Sequence, residues 1–164
     1  MAQPNIFKLL RQLSETRSTK HEVGQKRRKR EDTKKQKDKT IAAILHLLEK
    51  QPDAAKQKDS HDSTPLHQAI CDNAPLEIVD ALLKSWPNGA KQKDRYDRSP
   101  LHLACEYGAP SGVVFSLLQV WPDAAKEKDI YRRTPLQKAC NRRPPLEVVA
   151  PLEEVTALLQ VWPD

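Results

Sequence analysis

Thr64-Pro65-Leu66-His67 returns 35 residues later as Ser99-Pro100-Leu101-His102, and after the same step again as Thr134-Pro135-Leu136-Gln137. The stretch ahead of each copy repeats in phase. Pro52-Asp53-Ala54-Ala55-Lys56-Gln57-Lys58-Asp59 becomes Pro87-Asn88-Gly89-Ala90-Lys91-Gln92-Lys93-Asp94, then Pro122-Asp123-Ala124-Ala125-Lys126-Glu127-Lys128-Asp129. Trp86, Trp121 and Trp162 close the units. The last step is 41 residues, so the third unit carries six extra residues. They show as a near-duplication, Pro145-Leu146-Glu147-Val148-Val149-Ala150 followed by Pro151-Leu152-Glu153-Glu154-Val155-Thr156. A fixed period of this length marks an array of supersecondary units, because one unit cannot bury its own apolar face.

Within a unit the chemistry is that of two helices. Thr64 suits an N-cap, and Pro65 suits the first helical position, where its missing N–H costs nothing. Leu66, Ala69 and Ile70 then share one face. Asn73, and Gly108 in the next unit, are residues that tolerate a left-handed cap and end the helix. Pro75 opens a second helix whose predicted apolar stripe is Leu76, Val79, Leu82, Leu83 and Trp86. Pro87 stops it, and a polar connector leads on.

Residues 59–73 followed by Val79-x-x-Leu82-Leu83, with their copies in the next two units, resemble the ankyrin repeat. The resemblance spans about 52–162. It implies an all-α solenoid of stacked helix-turn-helix units joined by polar, hairpin-like loops. It implies a non-enzymatic role, with loop tips and first helices forming a concave face for a protein partner. The partner-facing positions it assigns are Ser60, His61, Ser63 and Asp72 in unit one and Arg95, Tyr96, Arg98, Glu106 and Tyr107 in unit two. In unit three they are Ile130, Tyr131, Arg133, Asn141 and Arg142. It makes His67 and His102 bridges between neighbouring units. The sequence departs from the family at the turn glycine, which is Asp62, Asp97 and Arg132, and at the helix-ending glycine of unit three, which is Arg143. The motif histidine of unit three is Gln137.

Ile41, Ile44, Leu47 and Leu48 fall at the offsets of Leu76, Val79, Leu82 and Leu83, so 40–51 reads as the second helix of a leading half unit. The predicted domain is therefore 40–164, with the half unit followed by units 52–86, 87–121 and 122–162. Leu158, Leu159, Val161 and Trp162 carry no polar cap after them, so the expectation is that the chain is a fragment or that this helix has a partner. The six extra residues are expected to form an enlarged loop that weakens unit three.

Residues 1–39 differ in kind. They hold a net charge of +8, against −2 for the remaining residues of a chain whose total is +6. From Arg17 to Lys39 one valine is the only large apolar residue, too little to offset the entropy of ordering. This segment is expected to be a disordered basic tail, dispensable for folding, with a short amphipathic helix around Ile6, Phe7, Leu9, Leu10 and Leu13. That helix is marginal alone, and with the basic run behind it leaves a peripheral-membrane reading open. Lys26, Arg27, Arg28, Lys29 and Arg30 form the sharpest short motif. It reads as a nuclear import signal, as a polyanion-binding arm, or as a solvated charge run. No aromatic interleaves the charges, which excludes stacking on single-stranded nucleic acid.

Composition narrows the chemistry further. Four glycines in 164 residues argue against phosphate-cradling loops. Three cysteines without close spacing do not build a disulfide framework, so a reducing compartment, nucleus or cytoplasm, is expected. Cys105 and Cys140 recur in phase as small core residues. No triad, metal-ligand or dinucleotide pattern is present, so no catalytic residue, metal or cofactor is expected, and no transmembrane segment. Arg95, Tyr96, Arg98, Tyr107, Tyr131 and Arg133 are the predicted partner-binding residues. Arginine and tyrosine dominate binding hot spots, and guanidinium pairs with carboxylate or phosphate. The expected partner is a protein with an acidic or phosphorylated segment. An import receptor and, in second place, nucleic acid are the other readings.

Overall fold

The computed structural model describes residues 5–18 and 28–141. Among them are seven helices: α1 (Ile6–Ser18), α2 (Arg28–Lys50), α3 (Pro65–Cys71), α4 (Leu76–Ser85), α5 (Pro100–Tyr107), α6 (Ser111–Val120) and α7 (Pro135–Asn141). No strand occurs among the described residues. Helix α1 packs on α3, α3 on α5 and α5 on α7, making one layer; α2 packs on α4 and α4 on α6, making a second. The all-α stack of helix-turn-helix units expected from the repeat is the fold.

Local sequence sets each element. Thr64 and Ser99 cap α3 and α5 with full capping boxes, and Pro65 and Pro100 fill the first position. Asn73 ends α3 with φ 51° and Gly108 ends α5 with φ 65°. Beyond them, the N–H groups of Ala74 and Ala109 donate to the carbonyls of Ala69 and Ala104, both at 2.8 Å, closing left-handed caps. Each connector contains a 3₁₀ turn, Pro52–Lys56, Pro87–Lys91 and Pro122–Lys126. These are not merely polar linkers, because Ala54, Ala55, Ala90, Ala124 and Ala125 are buried in the core.

The second helices correct the predicted stripe. The buried arc of α4 is Ile78, Val79, Leu82 and Leu83, and that of α6 is Val113, Val114, Leu117 and Leu118. Leu76 is 40% exposed. At the first position of α4 it lies at the rim of the arc, and its Cδ2 reaches Gly112 of the next unit. Cys105 is buried as expected, whereas Cys140 is exposed.

The amino-terminal segment contains the expected short amphipathic helix, α1, but departs from the rest of its expectation. Ile6, Leu10 and Leu13 of α1 are buried in the core at 1%, 1% and 5% exposure. They fall at offsets 0, 4 and 7, one helical face. That face lies against α2 and α3, so α1 is the first member of the layer that α3, α5 and α7 continue. The leading half unit is thus a complete helix pair. The boundary predicted between residues 39 and 40 falls inside α2, which runs unbroken through it. The six-residue insertion, Trp162 and the second helix expected in unit three lie outside the described residues, as do Lys26 and Arg27.

Candidate functional site

The loop tips are built by one aspartate per unit. The Oδ1 of Asp94 accepts the N–H groups of Tyr96 and Arg98, both at 2.9 Å. Asp129 does the same for Tyr131 and Arg133 at 2.9 Å, and Asp59 for His61 and Ser63 at 2.7 and 2.9 Å. The Asp94 and Asp129 N–H groups in turn donate to the carbonyls of Arg98 and Arg133, so each tip closes as a hairpin. Asp62, Asp97 and Arg132 turn the corner with φ of 59°, 55° and 59°. Successive tips are joined by backbone bonds, Arg95 N–H to the His61 carbonyl and Ile130 N–H to the Tyr96 carbonyl, each 3.1 Å.

The histidines lock these tips to the helices beneath. The His67 Nδ1 accepts the Thr64 N–H at 3.2 Å and lies 2.8 Å from the Thr64 hydroxyl. Its Nε2 lies 3.2 Å from the carbonyl of Arg98 in the next unit. His102 repeats this with Ser99 and with the carbonyl of Arg133, at 3.0 Å. An Nδ1 that accepts a backbone N–H leaves the ring proton on Nε2, which donates to the carbonyl. Burial lowers both imidazole pKa values below their ordinary range, against the opposing pull of those carbonyls. Gln137 keeps the local half of this device, with its Oε1 accepting the Thr134 N–H at 2.9 Å.

Two of the predicted partner residues are held by the fold itself. Arg98 donates from Nε and Nη2 to the Oδ2 of Asp94, both at 2.8 Å, and from Nη1 to Glu106 at 3.3 Å. Burial alone would raise the Asp94 carboxyl, but the Arg98 guanidinium and the tip N–H donors outweigh it and hold the pKa low. Glu106 continues the chain of charges to Lys138 at 3.1 Å. Lys138 reaches Asp129 at 3.3 Å, and Asp129 pairs with Arg133 at 3.3 Å. Lys138 is 5% exposed. A buried ammonium is tolerable only with such carboxylates beside it. It stands where unit two has the apolar Leu103, an in-phase substitution that points to the ion pairs. The aspartates 59, 94 and 129 also recur in phase, yet their repetition alone does not reveal which atoms they hold.

The other predicted residues face outward. Tyr107 is 51% and Tyr131 64% exposed, and Ile130 is 47% exposed beside it. Arg95 and Arg98 stack on Tyr96, their Cζ atoms 5.0 and 4.9 Å from the ring centre, and Arg133 stacks on Tyr131 at 4.7 Å. Partial burial raises the Tyr107 phenol, with Cys71 and Glu106 adding to the rise and Arg98 opposing it. Arg95 and Arg132 are exposed and pair with no carboxylate among the described residues. The surface thus combines exposed aromatic and aliphatic area with two guanidiniums that have no carboxylate partner among the described residues, Arg95 donating instead to the Tyr96 hydroxyl at 3.1 Å, on a scaffold fixed by hydrogen bonds and ion pairs. Of the basic motif, Arg28–Arg30 belong to the first turn of α2. Among the described residues no His, Cys, Asp and Glu grouping is suited to a metal ion, and no helix is long and apolar enough to cross a membrane.

Two units and the carboxyl-terminal part of α2 coincide with a family match. The model for ankyrin repeats in three copies aligns with residues 35–119, more than half of the chain. The chain belongs to the ankyrin repeat family, whose arrays are generally protein–protein interaction modules. Among curated proteins no match is found.

Proposed function

We propose that the chain is a non-enzymatic scaffold or adapter that takes a protein partner across the tips of units two and three. The observation that carries this reading is the exposure of Ile130 and Tyr131 at the unit-three tip, with Arg133 stacked on Tyr131, together with the exposed Tyr107 at the end of α5. Large exposed apolar side chains at an anchored position are what an interface core uses. Arg95 and Arg132 would contact an acidic or phosphorylated segment of the partner, while Arg98 and Arg133 orient the tyrosines. The basic motif at residues 26–30 would serve nuclear import, with the protein in nucleus or cytoplasm.

The test is affinity capture with the full chain against Tyr107→Ala combined with Tyr131→Ala. Proteins retained by the wild type and reduced about tenfold or more by the variant are the expected outcome, at an unchanged helical signal. Equal retention of every captured protein overturns the assignment of this face. Arg98→Ala and Arg133→Ala are unsuitable as first tests, because each breaks an ion pair within the fold.

A second reading rests on Lys34, Lys35 and Lys39, which are exposed along α2. In it the basic segment contacts nucleic-acid phosphates and the repeats recruit a protein. Binding to duplex DNA would then weaken steeply with salt and vanish when residues 26–39 are replaced by a neutral segment.

A further inference from the structure

Asn88 is the one asparagine of the chain followed by glycine, and it stands where units one and three have Asp53 and Asp123. Asn88 is exposed, whereas Gly89 is buried beneath Trp86 and Leu66. Gly89 is not required there by backbone conformation, since among the described glycines only Gly108 has a positive φ. The other two units place alanine at this position, Ala54 and Ala124. An asparagine side-chain amide is attacked by the backbone nitrogen of the following residue most readily when that residue lacks a Cβ. In this turn, however, the Gly89 N–H donates to the Trp86 carbonyl at 2.9 Å, and the Gly89 carbonyl accepts from Gln92 at 3.2 Å. Ring closure needs that nitrogen released and the helical backbone at Asn88 undone.

We propose that Asn88 is a site of spontaneous deamidation, gated by opening of the 3₁₀ turn Pro87–Lys91. The Gly89 nitrogen bonds to the side-chain carbonyl carbon of Asn88 and loses its proton, and the side-chain nitrogen leaves as ammonia. Water then opens the resulting cyclic imide, giving aspartate through one carbonyl and isoaspartate through the other. The two products differ in their effect on the fold. Aspartate at 88 stands three residues before Lys91, the spacing at which Asp53 pairs with Lys56 at 2.6 Å and Asp123 with Lys126 at 3.6 Å. The turn therefore accepts it. Isoaspartate adds a methylene to the main chain inside a five-residue turn and displaces the Gly89 N–H from Trp86.

The experiment follows the mass gain of about 1 Da in the peptide bearing residues 88–91, for the full chain in buffer and in concentrated urea at mildly alkaline pH. Deamidation in urea is expected to outpace that in buffer by about tenfold or more, the ratio reporting the turn's opening equilibrium. Gly89→Ala in urea is expected to slow it strongly, and Asn88→Asp in buffer to melt with or above the wild type. Equal rates in buffer and urea overturn the gating. A Gly89→Ala rate in urea equal to wild type overturns the chemistry, and a clear drop in the melting temperature of Asn88→Asp overturns the claim that aspartate is accepted.

Discussion

Arg132 occupies a left-handed backbone conformation at φ 59°, in the corner that Asp62 and Asp97 occupy in the earlier units. A Cβ-bearing residue costs roughly 1–2 kcal/mol there, and aspartate less than arginine because its short side chain bonds locally. Arg132→Gly removes the strain, although glycine gives part of it back as unfolded-state entropy. The expected net is a gain of about 0.5–1 kcal/mol, read as a raised melting temperature, with Asp97→Gly gaining less. A lower melting temperature for Arg132→Gly would show that the arginine side chain contributes more than its backbone costs. The departure from glycine is visible in the sequence, and so is its consequence. The role of the tip aspartates is not, because Asp59, Asp94 and Asp129 read alike as polar loop residues. Asp59 accepts two backbone N–H groups, whereas Asp94 also holds the Arg98 guanidinium. Asp94→Ala is accordingly expected to cost about 2–3 kcal/mol and Asp59→Ala about 1 kcal/mol, measured by urea unfolding. Equal losses would mean that the ion pair adds nothing.

The helices α3 to α6 are legible in the sequence because proline, capping residue and apolar face agree within each unit. Leu76 and Ile78 show the limit of that reading. Both fit an apolar position in a helix, and only the packing of α4 between α2 and α6 decides that Ile78 is the one buried. Lys138 shows the same limit in α7, since a lysine reads as surface until Glu106 and Asp129 are placed beside it. Helix α1 is legible as a short amphipathic stretch, but its place in the stack is not, for a different reason. It carries no repeat motif, and the basic residues that follow it dominate the composition of the first 39. Its face of Ile6, Leu10 and Leu13 nonetheless covers the edge of α2 and α3, an edge that would otherwise expose apolar surface. Leu10→Ala removes a side chain that is 1% exposed and is expected to cost about 2–4 kcal/mol, with a matching fall in the urea midpoint. Removing residues 1–18 should cost at least as much. If the truncated chain unfolded at the wild-type midpoint, α1 would be an appendage and the boundary near residue 40 would stand.

At the scale of the whole array, stability passes between nearest neighbours, and His67 and His102 sit at two successive interfaces. His67 joins unit one to the Arg98 carbonyl of unit two, and His102 joins unit two to the Arg133 carbonyl of unit three. Both rings are lowered in pKa, first by burial and in spite of the carbonyls they serve. Asp94, Arg98 and Lys58 act on His67, and Asp129, Lys138 and Lys93 on His102, so each ring feels one carboxylate against two cations. A depressed folded pKa means that the unfolded chain binds the proton first. The contribution is complete above the unfolded histidine value of about 6.5 and is lost as pH falls below it. Protonation also puts a hydrogen on Nδ1, where the Thr64 or Ser99 N–H already points. The melting temperature should therefore fall between about pH 7.5 and about pH 5.5, and the fall should involve both interfaces together. Gln137 supplies the control, because glutamine at this position keeps the cap and does not titrate. His67→Gln with His102→Gln should lower the melting temperature at about pH 7.5, through loss of the two bridges, and should flatten the dependence toward about pH 5.5. A double variant that keeps the full wild-type slope would place the titrating group elsewhere in the array. A single variant that removes the whole slope would show that one interface, and not both, limits its stability.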